Sequence, residues 1–567
     1  MKKKLPIGRS DFKELREENR YFVDKSLFIK EIIDEESQVV LLPRPRRFGK
    51  TLNLSMLRYF FEKTENRQEI EKLFKGLAIE KQEEFKKHFS EYPVIFLTFK
   101  DVNETDFNEA LKSIKAAISD EFKRHKYLLK SDELDETEKE NFYNIMVLKA
   151  DSSAYRRSLK ELSGYLYRHC KQKSVVLIDE YDSPIHTAYS KNYYEEMTAF
   201  FRSFLGAGLK DNPDIFKGIL TGILRIAKES IFSEMNNPGV YSILRVEYSD
   251  KFGFTEPEVF DLLKAYNAQD KIDDVRTWYN GYIFGKKVIY NPWSILNFVS
   301  SADKEFRPYW ANTGSNHIIK NLVKNSPQTV KTEFNDLLNN IPITKRLNES
   351  IIFDDLTKNE TIVYSFLVFS GYLKAFDKQH IARKDYYKLL IPNFEVKQIF
   401  EDVITNWINE SYENYTLQVM LKSLIQGDIK TFEKLLSRFV TETLSYFDTE
   451  KRDVERVYQA FILGLLVNLS ATHEVYSNKE SGFGRYDISI IPKDKTGQAI
   501  IMELKTIDKS ENETKEAALD NALEQIEEKQ YETDIKKRGI KHIKKLGVVF
   551  DGKRVWIKTK GSKDAGI

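Results

Sequence analysis

Four short apolar runs constrain the fold of this chain more than any other feature. QVVLLP (38–43), YPVIFLTF (92–99), SVVLIDEYD (174–182) and FKGILTGIL (216–224) are each bounded by turn residues or charges and read as buried strands. Between them, 52–63, 105–126 and 155–171 carry apolar residues at helical spacing. Strands separated by helices pair in parallel through crossovers, so this part is expected to be an α/β domain around a parallel sheet.

The pattern then changes twice. Residues 130–141 are an acidic excursion, expected to be a solvated helix or loop. Residues 272–310, with WYNGYIFG and YNPWSIL, predict a hairpin followed by a helix start. From about 313 to 440 the spacing is mainly helical, with strand-like runs near 361–391. The last part predicts a helix (452–470), a hairpin (484–505), a helix (514–531) and strands (545–558), a second, smaller α/β unit. The expected division is thus 1–312, a mainly helical linker or lid at 313–440, and 441–567.

Composition excludes several classes. At 567 residues, 41% hydrophobic and 31% charged, the chain can bury sizeable cores. A formal net charge of +2 leaves no global basic field, so any nucleic-acid contact must use local patches. The single cysteine, Cys170, excludes internal disulfides and a Cys-rich zinc site. MKKKLPIGRSDFKEL has no apolar core to make a secretory signal, and no apolar run approaches about 18 residues. No membrane partner is expected, and the expected compartment is the cytoplasm.

LLPRPRRFGKTLNLSML (41–57) sets Gly49-Lys50-Thr51 between a strand and a helix. A phosphate loop works because successive backbone N–H groups and a helix N-terminus point at one anion. Lys50 would reach the β and γ phosphates, and Thr51 would offer its hydroxyl to Mg2+. The usual pattern has glycine at position 44, where this chain has Arg44 between Pro43 and Pro45. Arg46 and Arg47 add to the loop's positive charge, and the candidate nucleotide set is Arg46, Arg47, Phe48, Gly49, Lys50, Thr51 and Asp179. VVLIDEYD supports it: Asp179 would hold Mg2+, Glu180 would orient the attacking water, and Asp182 is a third acid. Further on, Thr221 and Arg225 follow a strand. Arg225 either senses the γ-phosphate or makes a surface salt bridge.

A second constellation lies in GFGRYDISIIPKDKTGQAIIMELKT (482–506). Alternate side chains of a strand share a face, so Glu503 and Lys505 point the same way, and Asp487 on the partner strand can join them. Two carboxylates and a lysine form a hydrolytic kit. Asp487 and Glu503 would bind Mg2+, with the Leu504 carbonyl as a further ligand. Lys505 would orient or deprotonate the water, or neutralise charge in the transition state. A solvated Glu–Lys pair on an edge strand is the plain alternative. Glu455 would complete the metal shell or be an ordinary surface acid, and Gln525 and Tyr531 lie on a downstream helix. The basic run KKRGIKHIKK (536–545) is a solvated face or a backbone contact for nucleic acid.

FVDKSLFI, RPRRFGKTLNLSML, VVLIDEYDSP, LTGILRIAKESIF, FGFTEPEV, WYNGYIFG, YNPWSIL and YWANTGSN resemble the AAA-ATPase-like proteins common in bacterial genomes. SNKESGFGRYDISIIP, IIMELK and ALEQIEEKQY resemble the PD-(D/E)XK nuclease domain found at their C-terminus. The resemblance runs from about residue 5 to 550. It implies a P-loop NTPase sheet domain, a mainly helical middle region and a restriction-endonuclease-like α/β domain. In it Arg44 is an ordinary variant, Asp487, Glu503 and Lys505 match the nuclease core, and Gln525 and Tyr531 match its helix motif. Gln459 departs from a histidine expected there. The implied cofactors are ATP and Mg2+, the implied activities ATPase and metal-dependent nuclease, and the implied partner nucleic acid, DNA first. A non-catalytic ATP-dependent sensor or scaffold, a role in defence, and association into a homo-oligomer stay open.

Overall fold

The computed structural model describes residues 2–226, 238–310, 328–338, 340–356, 359–411, 414–443, 458–459, 462–463, 465–469, 471–481, 484–507, 513–552 and 554–560. The chain forms two compact units, Met1–Thr313 with Thr344–Val396, and Gly314–Ile343 with Lys397–Ile567. Of the expected middle segment, 344–396 falls in the first unit and 314–343 and 397–440 in the second.

The first unit is built on a wholly parallel sheet: β1 Val39–Pro43, β2 Val94–Thr98, β3 Ser174–Asp179, β4 Ile215–Gly222 and β5 Gly239–Val240, in the order β2-β3-β4-β1-β5. Its first four strands are the four apolar runs, and β1 and β3 are buried along their whole length. Helices α1 Lys50–Phe61, Phe107–Arg124 and Ser152–Cys170 supply crossovers. Asp106 and Asp151 cap the latter two through their side chains, a contribution of about 1 kcal/mol each. β4 lies between β1 and β3, so the loop after β1, the end of β4 and the acids at the end of β3 meet at the C-terminal edge of the sheet.

A hairpin, Tyr282–Phe284 with Lys287–Tyr290, leads into the helix Pro292–Ser300, as its turn signals predicted. Residues 361–391 correct an expectation. TIVYSFLVF belongs to a helix, Glu360–Phe369, and the strands are Lys374–Ile381 and Lys384–Leu390. That helix is buried almost all round, so its sequence shows no period by which a helix and a strand could be told apart.

In the second unit a five-stranded mixed sheet runs in chain order: β6 His473–Ser481, β7 Gly484–Pro492, β8 Ala499–Thr506, β9 Ile543–Asp551 and β10 Arg554–Thr559. All neighbours are antiparallel except β8 and β9. A parallel pair needs a crossover, here α2 Lys515–Glu528. The polar edge strand β6 was not foreseen. The expected helix at 452–470 falls mostly outside the described residues, and Glu455 with it. Among the described residues no helix is long and apolar enough to cross a membrane.

Candidate functional site

The loop between β1 and α1 spends its carbonyls on the protein and keeps its amides. The Arg46 carbonyl accepts from the Trp310 indole at 3.3 Å, and the Phe48 carbonyl from Gly253 N–H at 3.0 Å. Lys50 Nζ reaches back to the carbonyls of Arg44 and Pro45, each at 3.1 Å. Among the described residues, no amide from Arg46 to Thr51 donates to a backbone carbonyl outside the helix. Gly49 caps α1 at φ 86°, a left-handed conformation that glycine adopts without strain. The result is a row of unspent donors at a helix N-terminus, the setting an anion needs.

The arginines divide. Arg44 is fully buried and turned away from the loop, donating to the carbonyls of Pro43 (2.8 Å), Tyr241 (2.6 Å) and Tyr248 (3.2 Å). Its guanidinium lies 4.9 Å from the Phe252 ring centre and 5.5 Å from that of Phe284. Burial lowers its pKa to about 9, so it is still a cation at neutral pH. Arg44 thus spends its guanidinium on carbonyls behind the loop, whereas Arg46 and Arg47 are the arginines of the candidate nucleotide set. Arg46 acts electrostatically on both Lys50 and Glu180, and Arg47 lies 4.3 Å over Trp293. The Phe48 ring is buried against Tyr282 and Phe284.

Asp179 ends β3 with no exposure and accepts from two hydroxyls, Thr51 Oγ1 at 2.6 Å and Thr221 Oγ1 at 2.7 Å. It joins the phosphate loop to β4. Lys50 is buried, and desolvation lowers its pKa against the pull of Glu180 and Asp179. Glu180 turns out of the strand at φ 50°, a conformation that costs about 1–3 kcal/mol in a residue with a Cβ. Burial, aided by Asp179 and Asp182, raises its pKa against Lys50 and Arg46.

Asp182 is no free third acid. Its Oδ2 accepts from the amides of Ile223 (2.8 Å) and Leu224 (2.9 Å) and is 3.1 Å from His186 Nε2. Against burial, these bonds hold its carboxyl below the ordinary range. Tyr181 O–H donates to the Leu224 carbonyl at 2.6 Å. Arg225 begins the short strand that this segment leads into, paired with Ser350–Ile351.

A buried carboxylate that the sequence does not announce lies against Trp310, the residue whose indole bonds the loop. Glu395 accepts from Trp310 N–H at 2.6 Å and Ser294 Oγ–H at 2.8 Å. Burial outweighs these bonds and lifts its pKa to about 7. A carboxyl whose folded pKa is raised favours the folded state at low pH and loses that contribution as pH climbs from 4.5 to about 7. Replacing Glu395 by glutamine is expected to flatten the fall in Tm over this range. Its gain over wild type should grow to as much as about 3 kcal/mol above the upper value. Parallel Tm–pH curves for the two proteins would contradict it.

In the second unit, β7 and β8 pair through Ile488↔Met502, and Asp487 lies one step beyond. There its carboxylate takes the Leu504 N–H at 2.8 Å. A strand residue presents its N–H and C=O to the same side, so the Leu504 carbonyl is directed at the same edge. Glu503 is buried and accepts from Gln525 Nε2, which lies 3.2 Å from the Tyr531 hydroxyl. Lys505 Nζ is 3.9 Å from Glu503. Asp487, Glu503, Leu504, Lys505, Gln525 and Tyr531 are thus brought together. Glu503 pairs with Gly547, where a Cβ would stand 2.9 Å from the Leu519 carbonyl, so α2 sits tight on the sheet and Gln525 can reach the acid. Gln459 Nε2 donates to the Asp487 carbonyl at 2.9 Å, a role its sequence position did not disclose.

Three of the six lysines and arginines in the basic run at 536–545 are paired with acids. Lys536 pairs with Glu532, Arg538 with Glu474 at 3.0 Å, and Lys545 with Glu532 at 2.7 Å and Glu527 at 3.0 Å. Lys537 and Lys541 are exposed.

The family described as "Predicted AAA-ATPase" matches residues 6–232, and the PD-(D/E)XK nuclease superfamily matches residues 453–560. A protein of Azotobacter chroococcum mcd 1, described as an uncharacterized protein in the vnfD 5' region, is 25% identical over 556 residues, covering 97% of this chain and 96% of that protein. Residues 6–232 therefore carry an AAA-ATPase-like domain and residues 453–560 a PD-(D/E)XK nuclease superfamily domain.

Proposed function

We propose that the first unit binds ATP with Mg2+ and that the second hydrolyses nucleic-acid phosphodiesters, DNA first, under control of the nucleotide. The observation that carries the reading is a pair of separate acid constellations, each tied into its own sheet. Asp179 is bonded to Thr51 and Thr221, and Glu503 to Gln525 beside Asp487 and Lys505. Both donor sets are oxygen-rich, the kind Mg2+ prefers. Thr51 and Asp179 would hold it in the first unit, and Asp487, Glu503 and the Leu504 carbonyl in the second. When bound, the ion neutralises phosphate charge and makes a water more acidic.

The side chains have distinct tasks. The amides of 46–51 and Lys50 bind and orient the phosphates. Glu180 takes or orients a water proton. Lys505 sits beside Glu503, where it can orient a water or meet charge growing on a phosphate oxygen. Gln525 fixes the Glu503 carboxylate.

The test is cleavage of a panel of single- and double-stranded DNA and RNA with Mg2+ or Mn2+, with and without ATP. Metal-dependent cutting that changes with ATP is expected; no cutting under any of these conditions would end the nuclease reading. A second reading, a sensor or scaffold that binds ATP without turnover, is favoured by one observation. The usual first glycine of the loop is replaced by Arg44, whose guanidinium is spent on the carbonyls of Tyr241 and Tyr248 and not on the loop. Tight ATP binding without phosphate release would support it.

A further inference from the structure

We propose that Arg44, at the position where phosphate loops have glycine, is a positioning residue that holds the loop in its binding shape from behind. The inference rests on the nucleotide reading of the first unit and deepens it. A glycine there gives the chain freedom to enter the loop. Here that freedom is removed twice. Pro43 and Pro45 restrict the backbone on either side. The Arg44 side chain then ties the entry to the segment after β5, through the carbonyls of Tyr241 and Tyr248, with Phe252 and Phe284 against the guanidinium.

The same residue acts through its backbone. Its N–H continues the β1–β4 pairing by donating to the Gly222 carbonyl at 2.9 Å. Its carbonyl, with that of Pro45, holds Lys50 Nζ. Arg44 therefore links three things a phosphate site must keep in register: the lysine, the strand carrying Thr221, and a loop whose amides are unspent. A buried cation bonded only to carbonyls and aromatic faces is costly unless its contacts do work elsewhere. In this loop they substitute for glycine's permissiveness with a fixed shape.

The expected result runs against motif logic. Arg44→Gly brings the loop closer to the usual phosphate-loop pattern, yet it should bind Mg-ATP at least about tenfold more weakly. In the nucleotide-free protein, the amides that are bonded at the two ends of the loop, Arg44 to the Gly222 carbonyl and Asn53 to the Gly49 carbonyl, should exchange with deuterium faster than in wild type. Guanidinium ion at tens of millimolar should restore both properties, and sodium chloride at the same concentration neither. Arg44→Lys, which keeps charge but loses the fork of donors, should fall between. Arg44→Gly binding ATP as tightly as wild type with unchanged exchange would overturn the proposal. If Arg44→Gly does not fold, Arg44→Lys decides: wild-type affinity and loop exchange would refute the anchor, and losses in both would support it. If wild type itself binds no ATP, the nucleotide reading fails, and the exchange and guanidinium arms still judge the anchor.

Discussion

The Glu503→Gln protein is expected to cleave nucleic acid about a thousandfold more slowly than wild type, a loss of about 4 kcal/mol in transition-state stabilisation. Glu503 is buried, lies beside Lys505, and is held by Gln525. Glutamine keeps the size and one acceptor oxygen, and the Gln525 amide can keep its bond, so folding stability should change by no more than about 1 kcal/mol. What is lost is negative charge at a metal-binding position. Gln525→Ala makes the graded comparison: it leaves the charge but frees the carboxylate, and should cost about 10–100-fold. Both variants should bind ATP as wild type does. The measurement is initial cleavage rate at saturating Mg2+, with Tm recorded alongside. Equal rates for wild type and Glu503→Gln would remove Glu503 from the chemistry.

What could be read from the chain and what could not have separate physical causes. Four of the five strands of the parallel sheet were legible because a strand buried in a sheet core is a short apolar run with sharp ends. The helix at Glu360–Phe369 was not, because burial on every side removes its period. Strand β6 was missed because HEVYSNKES has no apolar run to announce it. Among candidate site residues, Lys50, Thr51, Asp179, Glu503 and Lys505 stood out as polar groups set in apolar or loop contexts. Arg44 was legible as an oddity, but the direction of its side chain depends on Tyr241 and Tyr248, some 200 residues away in sequence. Trp310 meets the loop, and Glu395 meets Trp310, only through long-range packing, and Gln459 acts on a backbone carbonyl, which leaves no trace in residue type.

Asp179→Asn and Glu180→Gln should fail in different ways, each lowering ATP hydrolysis by about 10²–10³-fold. Asp179 is wedged between the hydroxyls of Thr51 and Thr221. Asparagine can accept from one hydroxyl and donate to the other, so the local bonds survive while the charge that favours a cation is gone. ATP affinity in the Asp179→Asn protein should therefore no longer improve when Mg2+ is added. Glu180 has a different position: it leaves the strand in a left-handed conformation and is influenced by Lys50 and Arg46. Neutralising it removes a proton acceptor but no cation ligand, so Glu180→Gln should bind Mg-ATP at least as tightly as wild type and hold it without turnover. If the nucleotide drives the second unit by binding alone, Glu180→Gln should leave it in its ATP-bound level of cleavage. Cleavage should not respond to ATP in the Asp179→Asn protein. Paired measurements of ATP affinity with and without Mg2+, phosphate release, and nucleic-acid cleavage separate the two. Identical behaviour of the two variants in all three would show that Asp179 and Glu180 do not divide metal binding and water activation between them.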